Sequence, residues 1–430
     1  MLSSALVVAR PGERWDGEGV LAWLRRGSQA QALRRLLIPL AGVAVINLML
    51  LALFLLGRVP FAAWLGVLAL FWFLQSLKYR ETSELFGEAY GLARSLEQFG
   101  AVLRHLENYR YAPGSRLADA ARPFTEGSAR PSQSLRRLSR IVSAAGLRNN
   151  PFLGLLLNTL MPWDVFFTYL LEKYKLHLLG SLPAWLDAWY ELEAVASLAN
   201  FALLNPDYTA PQSPPEPDAP VLAAEGLGHP LLPRAGRVTN AFRIQQLGEV
   251  FIITGSNMSG KSTFLRTVGV NLVLANAGAV VCAERFASLP FRLFTCINLS
   301  DSLSDGISYF YAEVRRLKGL LDALERDQGA PLFFLIDEIF RGTNNRERKQ
   351  GSQAYTQRLA GKRGSGLIST HDLELAKLAD VLPGVHNYHF REDVRDGHMV
   401  FDYQLRPGAS PTTNALKIME IEGLPTRLQE

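Results

Sequence analysis

From Leu37 to Leu56 the chain reads LIPLAGVAVINLMLLALFLL, without one charged position. As a helix rising 1.5 Å per residue, such a run covers roughly 30 Å, the thickness of the hydrocarbon core of a bilayer. Gly57, Arg58, Val59 and Pro60 interrupt it, and a second apolar run follows from Phe61 to Leu77, with Trp64 and Trp72 inside it and Gln75 and Ser76 as its polar members. The pattern predicts a two-helix transmembrane hairpin with a tight turn, meeting the membrane through residues 37–77. Arg25, Arg26, Arg34 and Arg35 precede the first run and Lys78 and Arg80 follow the second, whereas the turn carries Arg58 alone. Because positive charge gathers on the cytoplasmic side, both chain ends are expected there, in an inner-membrane, multi-pass protein. A pair of buried core helices would show a similar pattern. A signal peptide is disfavoured, since the run starts late, exceeds the usual apolar region and lacks a small-residue cleavage pattern.

Residues 81–204 carry helical periodicity, as in Leu85, Leu92, Leu96 and Phe99, and again in Leu179, Leu182, Trp185, Leu186 and Trp189. Between Gly127 and Trp163 there is no acidic residue, while Arg130, Arg136, Arg137, Arg140 and Arg148 fall within the interval. Such a face could meet lipid headgroups or DNA phosphate, or simply be solvated. Pro206, Pro211, Pro214, Pro215, Pro217 and Pro220 then crowd one stretch that predicts an extended linker. Beyond it the pattern changes. Val250–Ile253, Leu332–Ile336 and Leu367–Ser369 are short apolar runs ending in turn residues, with helical stretches between them, which is the alternation of an α/β fold with a mostly parallel sheet.

The expected divisions are an N-terminal cytoplasmic segment (1–36), the hairpin (37–78), a helical region (79–205), the proline-rich linker (206–221) and an α/β domain (222–430). Composition agrees with this split. Hydrophobic residues make up 48% of the 430 positions against 20% charged, an excess that the two apolar runs absorb. Lys and Arg number 45 against 40 Asp and Glu, a mild positive balance that permits nucleic acid or an anionic membrane as partner without selecting either. Cys282 and Cys296 are the only cysteines, which excludes a disulfide scaffold.

Glu249–Thr254 reads as a strand that runs into Gly255-Ser256-Asn257-Met258-Ser259-Gly260-Lys261-Ser262-Thr263, followed by an apolar helical stretch through Phe264, Leu265, Val268 and Leu272. This is G-x-x-x-x-G-K-S in its strand and helix context, a loop whose backbone N–H groups cradle phosphates. Lys261 would neutralise the β- and γ-phosphates and Ser262 would offer a hydroxyl to Mg²⁺. Downstream, Leu332–Ile336 ends in Asp337 and Glu338. Asp337 fits the Mg²⁺ shell and Glu338 the polarisation of an attacking water, so hydrolysis of ATP is expected and not binding alone.

These residues resemble a family. Thr254–Thr263 is similar to the T-G-P-N-M-x-G-K-S-T loop of the MutS ATPases, and Asp337-Glu-Ile-Phe-Arg-Gly-Thr343 to their D-E-x-x-R-G-T. Asp301–Glu313 resembles D-D-L-x-x-G-x-S-T-F-x-x-E, the loop that in the family reaches the opposite subunit's nucleotide. Ser369-Thr370-His371 resembles the strand-end T-H switch, and Gly423-Leu-Pro425 the terminal G-L-P. His229-Pro230 and Asn240 fit the segment leading into the site. The resemblance covers about residues 222–430 and implies an ABC-type P-loop fold, ATP and Mg²⁺ as ligands, a homodimer with composite sites, Ser308 as a donor across the interface and His371 as a γ-phosphate sensor.

The chain departs from the family pattern at several positions. Ser256 replaces the loop proline, Ser302 the second acid of the trans loop and Tyr309 its threonine, while Thr413-Asn414-Ala415 stands where the family has S-Y-G. Arg237 stands where the family stacks an aromatic on adenine, and Tyr403 is the other candidate for that contact. Phe86-Gly-Glu88 and Phe124-Thr-Glu126 match the letters of the family's mismatch wedge but lie in helical sequence, so direct mismatch recognition is expected to be absent, as are C-terminal dimerisation helices. The resulting expectation is a MutS-like ATPase at the membrane, coupled to DNA and related to mismatch repair. The alternatives are ATP-driven remodelling of a membrane partner without DNA, or a scaffold that binds ATP.

Overall fold

The computed structural model describes residues 17–26, 30–77, 85, 99–126, 130–214, 216, 218–256, 258–297, 309–326, 329–340, 343–395 and 398–411. The chain divides into two compact units, residues 1–196 and 197–430.

The first unit is helical. It opens with α1 (Gly17–Arg25), α2 (Ala30–Leu55) and α3 (Phe61–Ser76), and continues through α4 (Pro131–Gly146), α5 (Pro151–Leu160), α6 (Trp163–Leu179) and α7 (Leu182–Leu204), inside which the division falls. α2 stops where Gly57 takes a φ of +67°. The Gly57 N–H then donates to Phe54 O at 2.8 Å and the Arg58 N–H to Leu53 O at 2.9 Å, the two bonds of a Schellman turn, which favours glycine at the left-handed position. α3 packs on α2, with Leu40, Ala44 and Phe71 sharing a buried cluster with Val165 of α6. Elsewhere on the pair Ile38, Val45, Leu70 and Phe73 are exposed. The sequence predicts two membrane-crossing helices. Among the described residues, α2 alone is long and apolar enough to cross as a single helix; α3, with 16 residues, is shorter, and α5 with α6 passes only as a pair bent by 87°.

α4 shows why the arginine-rich interval folds as a helix. Leu135, Leu138 and Val142 recur at helical spacing and enter a core with Leu103, Leu171, Trp185 and Trp189, which leaves Arg136, Arg137 and Arg140 outward. Within the same unit Glu172 and Lys175 are both buried and paired at 3.3 Å, with the Lys175 ammonium 5.3 Å from the Trp23 ring. Pairing offsets the desolvation that either charge alone would suffer there.

The second unit is α/β. A six-stranded sheet has the order β11-β8-β3-β7-β6-β5, formed by β3 (Val250–Thr254), β5 (Arg292–Cys296), β6 (Leu332–Asp337), β7 (Gly364–Ser369), β8 (Val385–His389) and β11 (Arg406–Pro407). All pairings are parallel except that of the edge strand β11. A three-stranded antiparallel sheet, β2-β1-β4, is built from β1 (Leu222–Leu227), β2 (Asn240–Ile244) and β4 (Arg285–Ser288), and β9 (Glu392–Arg395) pairs antiparallel with β10 (His398–Phe401).

Strand alternation sorts the core into two faces. Phe251, Ile253, Phe333, Leu335 and Leu367 pack with α8 (Lys261–Asn276) and the small sheet, whereas Val250, Ile252, Phe334, Ile336 and Ile368 pack with α9 (Tyr309–Glu325) and α10 (Asn345–Leu359). Strands buried on both faces read as continuous apolar runs, which is why β3 and β6 stand out in the sequence.

Backbone bonds hold the proline-rich stretch against the second unit. Thr209 and Val281 exchange backbone bonds of 3.1 and 2.8 Å, the Gln212 N–H donates to Phe286 O at 3.0 Å, and the Ser288 N–H donates to Gln212 O at 3.0 Å. Proline bars helix, but the residues between the prolines keep their donors and acceptors, so that Thr209 pairs with Val281 and Gln212 attaches along β4. The boundary between units therefore falls upstream of the prolines, inside α7.

Candidate functional site

The carboxyl ends of β3, β6 and β7 lie side by side in the sheet, and the residues that follow each converge there. After β3 the chain must curl tightly enough to aim successive N–H groups inward, and glycine is needed at both ends of the curl. Gly255 has φ +144° and Gly260 φ +110°. A Cβ on Gly255 would lie 2.8 Å from Ser259 Oγ and 2.9 Å from Phe390 O, and one on Gly260 would lie 3.2 Å from Tyr403 Cδ1. Ser256, at the position of the family's proline, is part of the curl, since its carbonyl accepts Ser259 Oγ at 2.8 Å. Gly260 caps α8 without a side-chain bond, so the first-turn N–H groups of a 16-residue helix face the loop. Met258 is left-handed at φ +69° and exposed, and Thr263 is exposed beside the same cavity. Asn257 lies outside the described residues.

Lys261 is buried, and its ammonium donates to Gly255 O at 2.9 Å and Ser256 O at 2.7 Å. Burial pushes its pKa below the usual lysine value, while the carboxylates of Glu338, Asp337 and Glu392 act in the opposite direction. Ser262 Oγ donates to Asp337 Oδ1 at 3.0 Å, and Ser369 Oγ donates to the same oxygen. The oxygens of Ser262 and Asp337 are hard donors, the type a magnesium ion takes, so this pair fits the metal that the P-loop implies.

Glu338 has φ +55°, and its N–H donates to Ser369 O at 3.2 Å and Ser369 Oγ at 3.1 Å. Its Oε1 lies 2.7 Å from His371 Nε2, while His371 Nδ1 lies 3.1 Å from Gly255 O and 3.5 Å from the Lys261 ammonium. The phosphate loop, the acidic strand end and the histidine thus form one connected cluster. Ser369 is the member that sequence reasoning missed. Its place two residues before His371 was the available signal, but nothing local says that its hydroxyl meets Asp337.

A cavity of about 440 Å³ opens beside the loop, lined by Lys261, Ser262, Glu338, Tyr403, His229 and Val238 among others. Between the two candidates for the base contact, Tyr403 lines this cavity. Arg237 does not line it. Its guanidinium donates to Leu232 O at 3.1 and 2.6 Å and to Cys282 Sγ at 2.9 Å, and lies 5.7 Å from the Tyr208 ring. Asn240 fixes the Tyr403 segment from β2, donating to Tyr403 O at 3.1 Å and accepting the Leu405 N–H at 2.7 Å. Burial, then Arg266 and Arg237, hold the His229 pKa below the ordinary histidine value. Ser308 with the rest of Asp301–Ser308, Arg341, Gly342, Thr413–Ala415 and Gly423–Pro425 lie outside the described residues. Glu313, at the end of that motif, is buried and accepts the Phe340 N–H at 2.6 Å.

Residues 251–430 match the family model for MutS domain V. This is a P-loop ATPase-type domain. Over 239 residues the chain is 36% identical to a DNA mismatch repair protein MutS of Natronomonas pharaonis, covering 55% of this chain and 27% of that protein. It is 34% identical over 201 residues to a DNA mismatch repair protein MutS of Exiguobacterium sp., covering 46% of this chain and 23% of the other. It is also 33% identical over 240 residues to a DNA mismatch repair protein MutS 2 of Halobacterium salinarum, covering 54% and 27%. The chain therefore spans about a quarter of the length of these MutS relatives.

Proposed function

We propose that the protein is a membrane-attached ATPase of the MutS type, which hydrolyses ATP with Mg²⁺, works as a homodimer and couples its nucleotide state to DNA. The observation that carries hydrolysis is the Glu338 carboxylate 2.7 Å from His371, in a cluster that also holds Lys261 and Asp337. The loop N–H groups and Lys261 bind the phosphates. Ser262 and Asp337 would hold Mg²⁺, which when bound neutralises phosphate charge. Glu338 takes a proton from the attacking water as the new P–O bond forms, and the γ-phosphate separates from ADP, which leaves with the bridging oxygen. His371 touches both the loop carbonyl of Gly255 and Glu338, so a change at the γ-phosphate position is felt at the base.

Ser308 of a second copy would complete each site, and the base would stack on Tyr403. The DNA role rests on the named function of the mismatch repair relatives. Attachment to the cytoplasmic membrane, with the second unit in the cytoplasm, rests on the apolar run of α2, its exposed side chains and the flanking arginines.

The test is ATP turnover by the full chain in detergent, alone, with duplex, branched or mismatched DNA, and with lipid, beside Glu338→Gln. The variant is expected to retain nucleotide and to turn over about 10²-fold more slowly or worse. An unchanged rate removes Glu338 as the base. Stimulation by lipid and not by DNA would favour a membrane partner, the reading that the outward apolar surface of the first unit supports.

A further inference from the structure

We infer that α5 is a third membrane element, lying in the cytoplasmic leaflet against α2 and α3 with its outer face in contact with lipid acyl chains. The inference deepens the membrane reading proposed above and rests on it.

The first observation is the outward face of α5. Its sequence PFLGLLLNTL contains no charge, and its largest side chains point away from the protein, with Phe152 87%, Leu155 55% and Leu156 53% exposed. In water such a cluster is unfavourable, because each of these side chains gains free energy on leaving it.

The second observation is the fate of the helix's carbonyls. The last four carbonyls of any helix lack intrahelical partners, and water ordinarily solvates them. Here, beyond the last ladder bond from the Met161 N–H to Leu157 O at 3.0 Å, Asn158 O accepts Gln75 Nε2 of α3 at 3.0 Å and Thr159 O accepts Asn47 Nδ2 of α2 at 3.3 Å. Asn47 stands near the middle of the uncharged run and is only 1% exposed. The two apolar helices thus present amides at the point where α5 ends and the chain turns by 87° into α6. Internal satisfaction of this kind is what a break in a helix requires where water is absent.

The third observation is charge. α4 and the turn after it carry Arg136, Arg137, Arg140 and Arg148 immediately before α5, and neither α4 nor α5 has an acidic residue. Arg136, Arg137 and Arg140 are exposed, the arrangement that suits anionic headgroups above an immersed apolar helix. Gln75 lies at the end of α3, three and five positions before Lys78 and Arg80 in the sequence, which assigns α5 to the leaflet on the cytoplasmic side.

The test places an environment-sensitive fluorophore on Phe152→Cys, and separately on Phe73→Cys of α3, in the full chain reconstituted into vesicles of phosphatidylcholine with phosphatidylglycerol. Cys282 and Cys296 are buried, so the introduced thiols label selectively. Nitroxide carried on the lipid acyl chain is expected to quench both probes at least twofold, and the Phe152 probe more strongly when the nitroxide is shallow. Replacing Asn47 and Gln75 together by Leu is expected to shift the depth read at Phe152 while leaving ATP turnover unchanged. Quenching at Phe73 with a Phe152 probe that answers only to aqueous iodide overturns the inference and leaves the membrane helices standing. Absence of lipid quenching at both positions overturns the membrane reading, and the inference with it.

Discussion

The two units handle apolar side chains in opposite ways. In the second unit Phe333, Leu335 and Leu367 lie on one face of a parallel sheet, Phe334, Ile336 and Ile368 on the other, and helices cover both. Polar groups gather where the strands stop, at Lys261, Asp337, Glu338 and His371. In the first unit α2, α3 and α5 bury one apolar face yet leave Val45, Phe73 and Phe152 exposed on the other, while the polar Asn47 and Gln75 turn inward to meet backbone carbonyls. On the proposed membrane reading the same hydrophobic effect accounts for both patterns, because the solvent around the two units differs. A sheet domain hides oil from water, while a membrane helix hides amides from oil.

The sharpest way to break that contrast is to truncate one phenylalanine of each kind. Phe333→Ala, in the sheet core against Phe291 at 5.4 Å, should cost about 3–5 kcal/mol of unfolding stability, whereas Phe73→Ala on the exposed face of α3 should change it by less than about 0.5 kcal/mol. Chemical denaturation in detergent reads both. An equal loss at the two positions would mean that Phe73 is a core residue and that the contrast is false.

A charge sharpens the comparison next. Val45→Arg, on the exposed side of α2, should disfavour membrane insertion by about 2.5–3.5 kcal/mol, visible as a shift from membrane to soluble or aggregated fractions. Unchanged membrane partition would argue for protein and not lipid around Val45.

A smaller effect is expected at the start of α10. Asn344 accepts the Glu347 N–H at 3.0 Å, and Asn344→Ala should cost about 1 kcal/mol in thermal unfolding of the second unit alone. A loss spread over both units would tie their unfolding together.

The smallest effect concerns pH. His229 accepts the Leu231 N–H on Nδ1 at 3.2 Å and is held below its ordinary pKa by burial and by Arg266 and Arg237. The unfolded chain therefore binds this proton more readily. The contribution of neutral His229 is full above the ordinary histidine value and declines as pH falls from that value through the lowered one. His229→Asn should flatten the acid limb of the stability curve, and an unaltered limb would place the titration elsewhere.

Much of the second unit is legible in the chain because its signals are local. A strand, two glycines and a lysine within nine residues define the phosphate loop, and a run of five apolar residues before Asp337 announces β6. What escapes is non-local. The hydroxyl of Ser369 meets Asp337 across 32 positions, and the Gln212 N–H finds Phe286 O from a segment whose prolines say only that it is neither helix nor regular strand. In the first unit the periodicity reveals that helices form but not where they bend. The 87° turn between α5 and α6 lies where Asn47 meets Thr159 O, a carbonyl 112 residues away.

Glu338 has one more consequence. An L-residue at φ +55° sits roughly 1–2 kcal/mol above its relaxed backbone, and glycine would occupy the same place at ease. If Glu338 is the base proposed above, durability and catalysis compete for a single position: Glu338→Gly should melt at a higher temperature than the parent while ceasing to turn over. A variant that melted lower would show that the contact with His371 outweighs the cramped torsion, and the compromise would lie in the side chain instead.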